Sequence, residues 1–132
     1  MEKIKYNDST RNRPDGERVV DADYVYSDMP VYIKQLQEEK SWDEGDRNAI
    51  TIFKADQVTL VLTILKEGAA IIDNTIDGFI TIQVMEGQVV VTTGEDEFDA
   101  PKGQLITFHP GIPHTVTAVK ETVLLLTTLN KS

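Results

Sequence analysis

His109 and His114 are the only histidines in the 132-residue chain, and they flank a single Pro110-Gly111 turn. Near neutral pH an imidazole can ligate a metal, move a proton or hydrogen-bond a ligand, so this pair is where the sequence concentrates its chemistry. Gly103 closes an Ala-Pro-Lys-Gly turn, Leu105 to Phe108 read as strand, and Ile112-Pro113 hands the chain to another strand starting at His114. A turn between sheet strands is a place where side chains converge on a ligand while the scaffold stays rigid.

The stretch Gly103 to His114 resembles the second motif of the cupin superfamily: Gly, five residues, Pro, one residue, Gly, two residues, His, three residues, Asn. Gly103, Gly111 and His114 match it, His109 stands in the Pro slot and Ala118 in the Asn slot. The first cupin motif begins and ends on Gly, matched by Gly68 and Gly87. Between them its carboxylate slot holds Ile80, and its two His slots hold Asn74 and Ile76, or Asp73 and Thr75 with the longer gap. The resemblance runs from about residue 49 to 129. It implies an all-β, cupin-type jelly-roll barrel, also called a double-stranded β-helix. The three-imidazole, one-carboxylate metal site of cupins has lost most of its donors here.

The elements that would position these groups follow from periodicity. Residues 1–18 are polar and turn-rich and read as a flexible arm preceding one domain at 19–132, with Val19 to Tyr26 a short edge strand. Ser27 or Asp28 caps one short amphipathic helix, with Pro30 in its first turn, that runs to about Trp42 and stops at Gly45. Trp42 is expected to pack this helix on the sheet. After Asn48 the period becomes two: Ile50, Ile52, Val58, Leu60, Leu62 and Ile64 share one face, and Val58 to Leu65 is apolar enough to be covered on both. Phe79 to Met85 and Gln88 to Thr92 are expected to form a hairpin across Glu86-Gly87. Further strands are expected at 97–100, 105–108, 115–119 and 122–129, a pattern of short strands that suits a sandwich or barrel.

A formal charge of −9, from 22 acidic and 13 basic residues, argues against nucleic acid or an anionic membrane surface as partner. There is no cysteine, hence no disulfide or thiolate site, and no apolar run approaches the roughly 18 residues of a membrane span. A cytoplasmic protein is expected. The greasy strand at 58–65 exceeds what one small core covers, and cupins commonly dimerise, so a homodimer is expected.

Three functional readings follow. The first is a metal-poor cupin that binds a small organic ligand in a barrel lined by Ile80, Ile82, Val84 and Leu105, with His114, His109 and Asn74 supplying polar contacts. No cofactor is expected; a weak divalent metal at His114, His109, Asp73 or Asn74 is the residual alternative. The second is a cupin enzyme of dioxygenase, isomerase or epimerase type, metal-assisted or with His114 as base, oriented by Asp73, Asp77 or Glu86. The third is a non-catalytic dimerisation or interaction module. Against all three stands a plainer role for His114, held by a backbone carbonyl as part of the fold.

Overall fold

The alternation of apolar and polar residues after Asn48 becomes two facing antiparallel sheets. The computed structural model describes residues 5–7, 18–72 and 77–130. In chain order the elements are β1 (Lys5–Asn7), β2 (Arg18–Asp21), α1 (Met29–Glu38), α2 (Lys40–Glu44), β3 (Arg47–Lys54), β4 (Val58–Leu65), β5 (Ala70–Ile72), β6 (Gly78–Glu86), β7 (Gln88–Thr93), β8 (Asp96–Pro101), β9 (Leu105–Phe108), β10 (Thr115–Ala118) and β11 (Thr122–Asn130). One sheet has the order β3-β4-β11-β6-β9 and the other β5-β10-β7-β8, while β1 and β2 form a separate ribbon.

Part of the stretch read as an arm is therefore strand: Lys5–Asn7 pairs antiparallel with Arg18–Asp21. Residues 1–4 and 8–17 lie outside the described residues. The ribbon reaches the main sheet through Arg18, whose guanidinium donates from Nε to the Thr51 carbonyl at 2.9 Å. Thr51 adjoins the bulge in β3, the edge strand of the five-stranded sheet. The side chain thus satisfies a carbonyl that a strand edge would otherwise leave to solvent.

The helical segment is two helices rather than one. Asp28 caps α1, its side chain accepting from the Val31 N–H at 3.3 Å, with Pro30 in the first turn. Glu39 then takes an extended conformation (φ −82°, ψ 150°) and breaks the run before α2. The cause is Asn48, a buried residue of β3: its amide nitrogen donates to the Leu36 carbonyl at 2.9 Å and to Glu39 Oε1 at 3.0 Å. A sheet side chain thereby takes the place of the next helical turn at the end of α1. A ten-residue helix is marginal alone, and burying a Leu side chain contributes about 2 kcal/mol; Leu36 is fully buried against Ile50, Leu62 and Ile64. Trp42 packs against the same cluster, with Lys66 Nζ 4.9 Å from its ring centroid.

Two cores result. The inner one, between the sheets, contains Leu65, Ile82, Val84, Val89, Val91, Val116 and Leu124. The outer one lies between the five-stranded sheet and the helices and contains Leu36, Ile50, Ile52, Leu62, Ile64 and Val123. Val58–Leu65 is thus covered on both sides by its own chain.

The expected hairpin across Glu86-Gly87 does not form. β6 belongs to the five-stranded sheet and β7 to the four-stranded one, so the chain crosses between sheets at Gly87. Periodicity cannot separate a hairpin from a crossing, because both put a tight turn between alternating strands. Gly87 has φ +88°, and a Cβ there would collide with the Glu121 carbonyl and with Thr122. The buried Thr122 hydroxyl holds the corner, accepting from the Gln88 N–H at 3.2 Å and lying 2.8 Å from the Lys120 carbonyl. Gly87→Ala should therefore destabilise the fold by about 2 kcal/mol or more. Urea denaturation checks this, and a loss below about 0.5 kcal/mol would show that the corner relaxes freely.

Candidate functional site

The register of the strands orders the inner surface from a closed end to an open one. At the closed end Val84 pairs with Leu124, and both are fully buried. Two residues along, Ile82 lies beside Leu126 and Ile106; two further, Ile80 lies beside Thr128 and Phe108. Ile80, Ile106, Leu126 and, from the facing sheet, Ile71 are only partly buried where they pack on the inner core. The apolar wall expected of Ile80, Ile82 and Val84 is thus present, and it grades from sealed at Val84 to solvent-touched at Ile80.

His114 lies at this open end. It is 8% exposed, immediately precedes β10, and its ring stacks on Phe108 with centroids 4.3 Å apart and planes 7° from parallel. Its Nδ1 is 3.0 Å from the Ile112 carbonyl oxygen. A carbonyl only accepts, so Nδ1 carries the proton, and in the neutral ring Nε2 is the accepting atom. The partner on Nδ1 is backbone rather than carboxylate. Glu86, one of the carboxylates considered as an orienting group, pairs instead with Lys102 at 3.0 Å, at the end of β6 away from Ile80. Asp77 is exposed, and Asp73, Asn74 and Ile76 lie outside the described residues.

The second imidazole does not join the first. His109 is exposed, and its ring packs against Phe79 with centroids 5.1 Å apart. Phe79 alternates with Ile80 and points to the outer side of the sheet, whereas the Phe108 under His114 packs in the inner core. Flanking one turn set the two rings near each other in sequence, but the parity of the strands sends them to different faces. Leu105 is a second departure. It is 60% exposed opposite Gln83, and Ile106 is the residue that turns inward.

Among the described residues, no group of three or more His, Cys, Asp or Glu side chains is arranged to hold a metal ion. A shallow hollow of about 260 Å³ lies next to His114, lined also by Ile72, Thr92, Thr93, Gly94, Pro113 and Thr115. Exposed Ile72 and Thr92 place it on the outer rim rather than within the barrel. The residues that sequence reading missed are Phe108, Ile106 and Thr128. Their period-two spacing was visible, but which phase faced inward was not.

Two facing antiparallel sheets, crossed by the chain at corners and open at one end beside a buried imidazole, define a small domain of the cupin fold. The family model for the AraC-like ligand binding domain matches residues 66–129. Among solved structures, a cupin superfamily protein from Desulfitobacterium hafniense is 15% identical with a TM-score of 0.63, covering 64% of this chain and 78% of that one. An RmlC-like cupin from Desulfovibrio desulfuricans is 23% identical with a TM-score of 0.58, covering 66% of this chain and 84% of that one. A salicylate 1,2-dioxygenase variant from Pseudoaminobacter salicylatoxidans is 17% identical with a TM-score of 0.68, covering 77% of this chain and 34% of that one. At these identities the likeness is one of fold. No curated protein sequence matches the chain.

The different settings of the two imidazoles should separate in stability. His114→Ala removes a stacked ring and leaves the Ile112 carbonyl without that donor, a loss of about 1–3 kcal/mol. His109→Ala, at an exposed position, should cost about 0.5 kcal/mol or less. Chemical denaturation of both variants measures the difference, and equal losses would contradict the placement of the two rings.

Proposed function

We propose that this chain is a ligand-binding cupin domain that takes a small organic molecule at the open end of its barrel without a tightly bound metal, and that it acts as a cytoplasmic homodimer. The observation that carries the reading is His114: a buried imidazole with its Nδ1 proton committed to the Ile112 carbonyl, set on Phe108 where the apolar interior meets solvent. A buried imidazole beside the partly buried Ile80 and Ile106 suits a planar, largely apolar molecule with a polar group. The match of residues 66–129 to the AraC-like ligand binding domain supports the same function, because that segment contains β6, β9 and His114. The charge of −9 makes direct contact with nucleic acid or anionic lipid unfavourable, and among the described residues no helix is long and apolar enough to cross a membrane.

Titration with phenol and other small hydroxyaromatics, followed by backbone amide shifts, tests the ligand. Shifts are expected at Ile80, Phe108, Thr128 and His114, with affinity about tenfold weaker in His114→Phe, which keeps a ring but loses the accepting nitrogen. Equal affinity for both proteins, or no perturbation at these residues at millimolar probe, would remove the reading.

Metal content provides an independent check. Ile80 occupies the carboxylate slot and His109 lies on the outer face, so the wild-type protein should purify with well under one equivalent of zinc, iron, nickel or manganese. Adding any of these should leave the melting temperature unchanged. Stoichiometric metal, or a concentration-dependent rise in melting temperature, would overturn the metal-poor reading.

A further inference from the structure

Rows of paired residues cross the inner side of the five-stranded sheet, and their chemistry changes toward the open end. Leu126 stands between Val61 and Ile82, and Ile82 beside Ile106, so the middle row is wholly apolar. The next row toward solvent is not. There Thr59 pairs with Thr128, Thr128 with Ile80, and Ile80 with Phe108, on which His114 stacks. Alternation keeps both threonines on the inner side, because Leu65 of β4 and Leu124 and Leu126 of β11 pack in the inner core. Thr59 and Thr128 are partly buried, and among the described residues neither hydroxyl has a hydrogen-bond partner.

β3 extends this row by a residue of a different kind. Ile50 and Ile52 face the outer core, and an unbroken strand would send Lys54 after them. The bulge between Thr51 and Phe53 intervenes, and beyond it Lys54 pairs with Thr59. Residues directly opposite each other in a ladder share a face, so Lys54 turns to the inner side. Bulges re-aim side chains in this way beside binding sites. Lys54 is exposed and, among the described residues, makes no ion pair, although the chain carries 22 acids against 13 bases.

The row thus runs from an ammonium through two hydroxyls to an aliphatic side chain and an aromatic ring. A carboxylate only accepts hydrogen bonds, so it can take the Lys54 ammonium and both threonine hydroxyls together. An apolar body attached to it would lie over Ile80 and reach Phe108, two strand spacings or about 10 Å from Thr128. A dianionic phosphate suits the row less, because one ammonium leaves its second charge uncompensated in a chain of −9.

We infer that the open end selects a small organic monocarboxylate, its carboxylate held by Lys54, Thr59 and Thr128 and its apolar body lying across Ile80 to Phe108. The inference rests on the ligand-binding reading above and names the class of ligand.

Phenylpropionate and its neutral counterpart phenylpropanol test the charge, with binding followed by backbone amide shifts. Wild-type protein should bind the acid about fivefold more tightly, the effect of one solvent-touched ion pair. Shifts are expected at Lys54, Thr59, Thr128, Ile80 and Phe108. Lys54→Met should bind acid and alcohol equally, whereas Lys34→Met, which removes an exposed charge from α1, should keep the preference. Circular dichroism verifies folding, and Thr128→Val, which keeps the shape and loses the hydroxyl, should narrow the preference if Lys54→Met does not fold. Equal affinity of the wild type for acid and alcohol at Ile80 and Phe108 would overturn this inference and leave the ligand-binding reading standing. A preference for the acid that survives Lys54→Met, or that Lys34→Met also abolishes, would overturn it as well. No perturbation by either compound at millimolar concentration would remove both.

Discussion

Burial of the five-stranded sheet from both sides is the constraint on which the rest of the structure depends. In β11, Leu124 and Leu126 turn toward the facing sheet while Val123 and Leu125 turn toward the helices. β4 is divided in the same way, Leu65 inward and Leu62 and Ile64 outward. A central strand that is apolar on both faces cannot sit at the surface of a two-layer sandwich, so a third layer has to exist. The short helices supply it. They are held by Leu36 on the outer core and by Asn48, which ties the end of α1 to β3.

Covering that sheet unevenly leaves two features, one on each side. On the inside, the closed end is sealed by fully buried Val84 and Leu124, and the open end is left to Ile80, Phe108 and His114. On the outside, the helices stop short of β6 and β9, leaving the uncharged face that includes Phe79 and Leu105. One strand, β6, therefore contributes alternate residues to the open end of the barrel and to the uncharged outer face.

His114 is held by the protein's own contacts. Its ring stacks on Phe108 of the preceding strand, and its Nδ1 bonds the Ile112 carbonyl of its own loop. The same bond sets its tautomer, with Nδ1 the donor to the Ile112 carbonyl.

The sequence by itself determined that the chain is a β-sandwich of the cupin type. Gly68, Gly87, Gly103 and Gly111 mark chain reversals, the period-two pattern marks strands, and Asp28 with Pro30 marks a helix start; each is a local signal, resting on one residue's backbone freedom or on its neighbours two places away. It also showed that Ile80, Ile82 and Val84 share one face. Only tertiary structure decided what those signals meant for the site. Whether Gly87 turned a hairpin or crossed between sheets depended on Thr122, 35 residues away in sequence, and whether Leu105 or Ile106 pointed inward depended on pairing with β6. The break between α1 and α2 depended on Asn48 reaching back from β3. His109 and His114 look alike in sequence, but one follows β9 and packs on outward-facing Phe79, while the other leads into β10 of the facing sheet and stacks on inward-facing Phe108. A period of two shows that two faces exist; which face is inside is settled by what the rest of the chain packs against it.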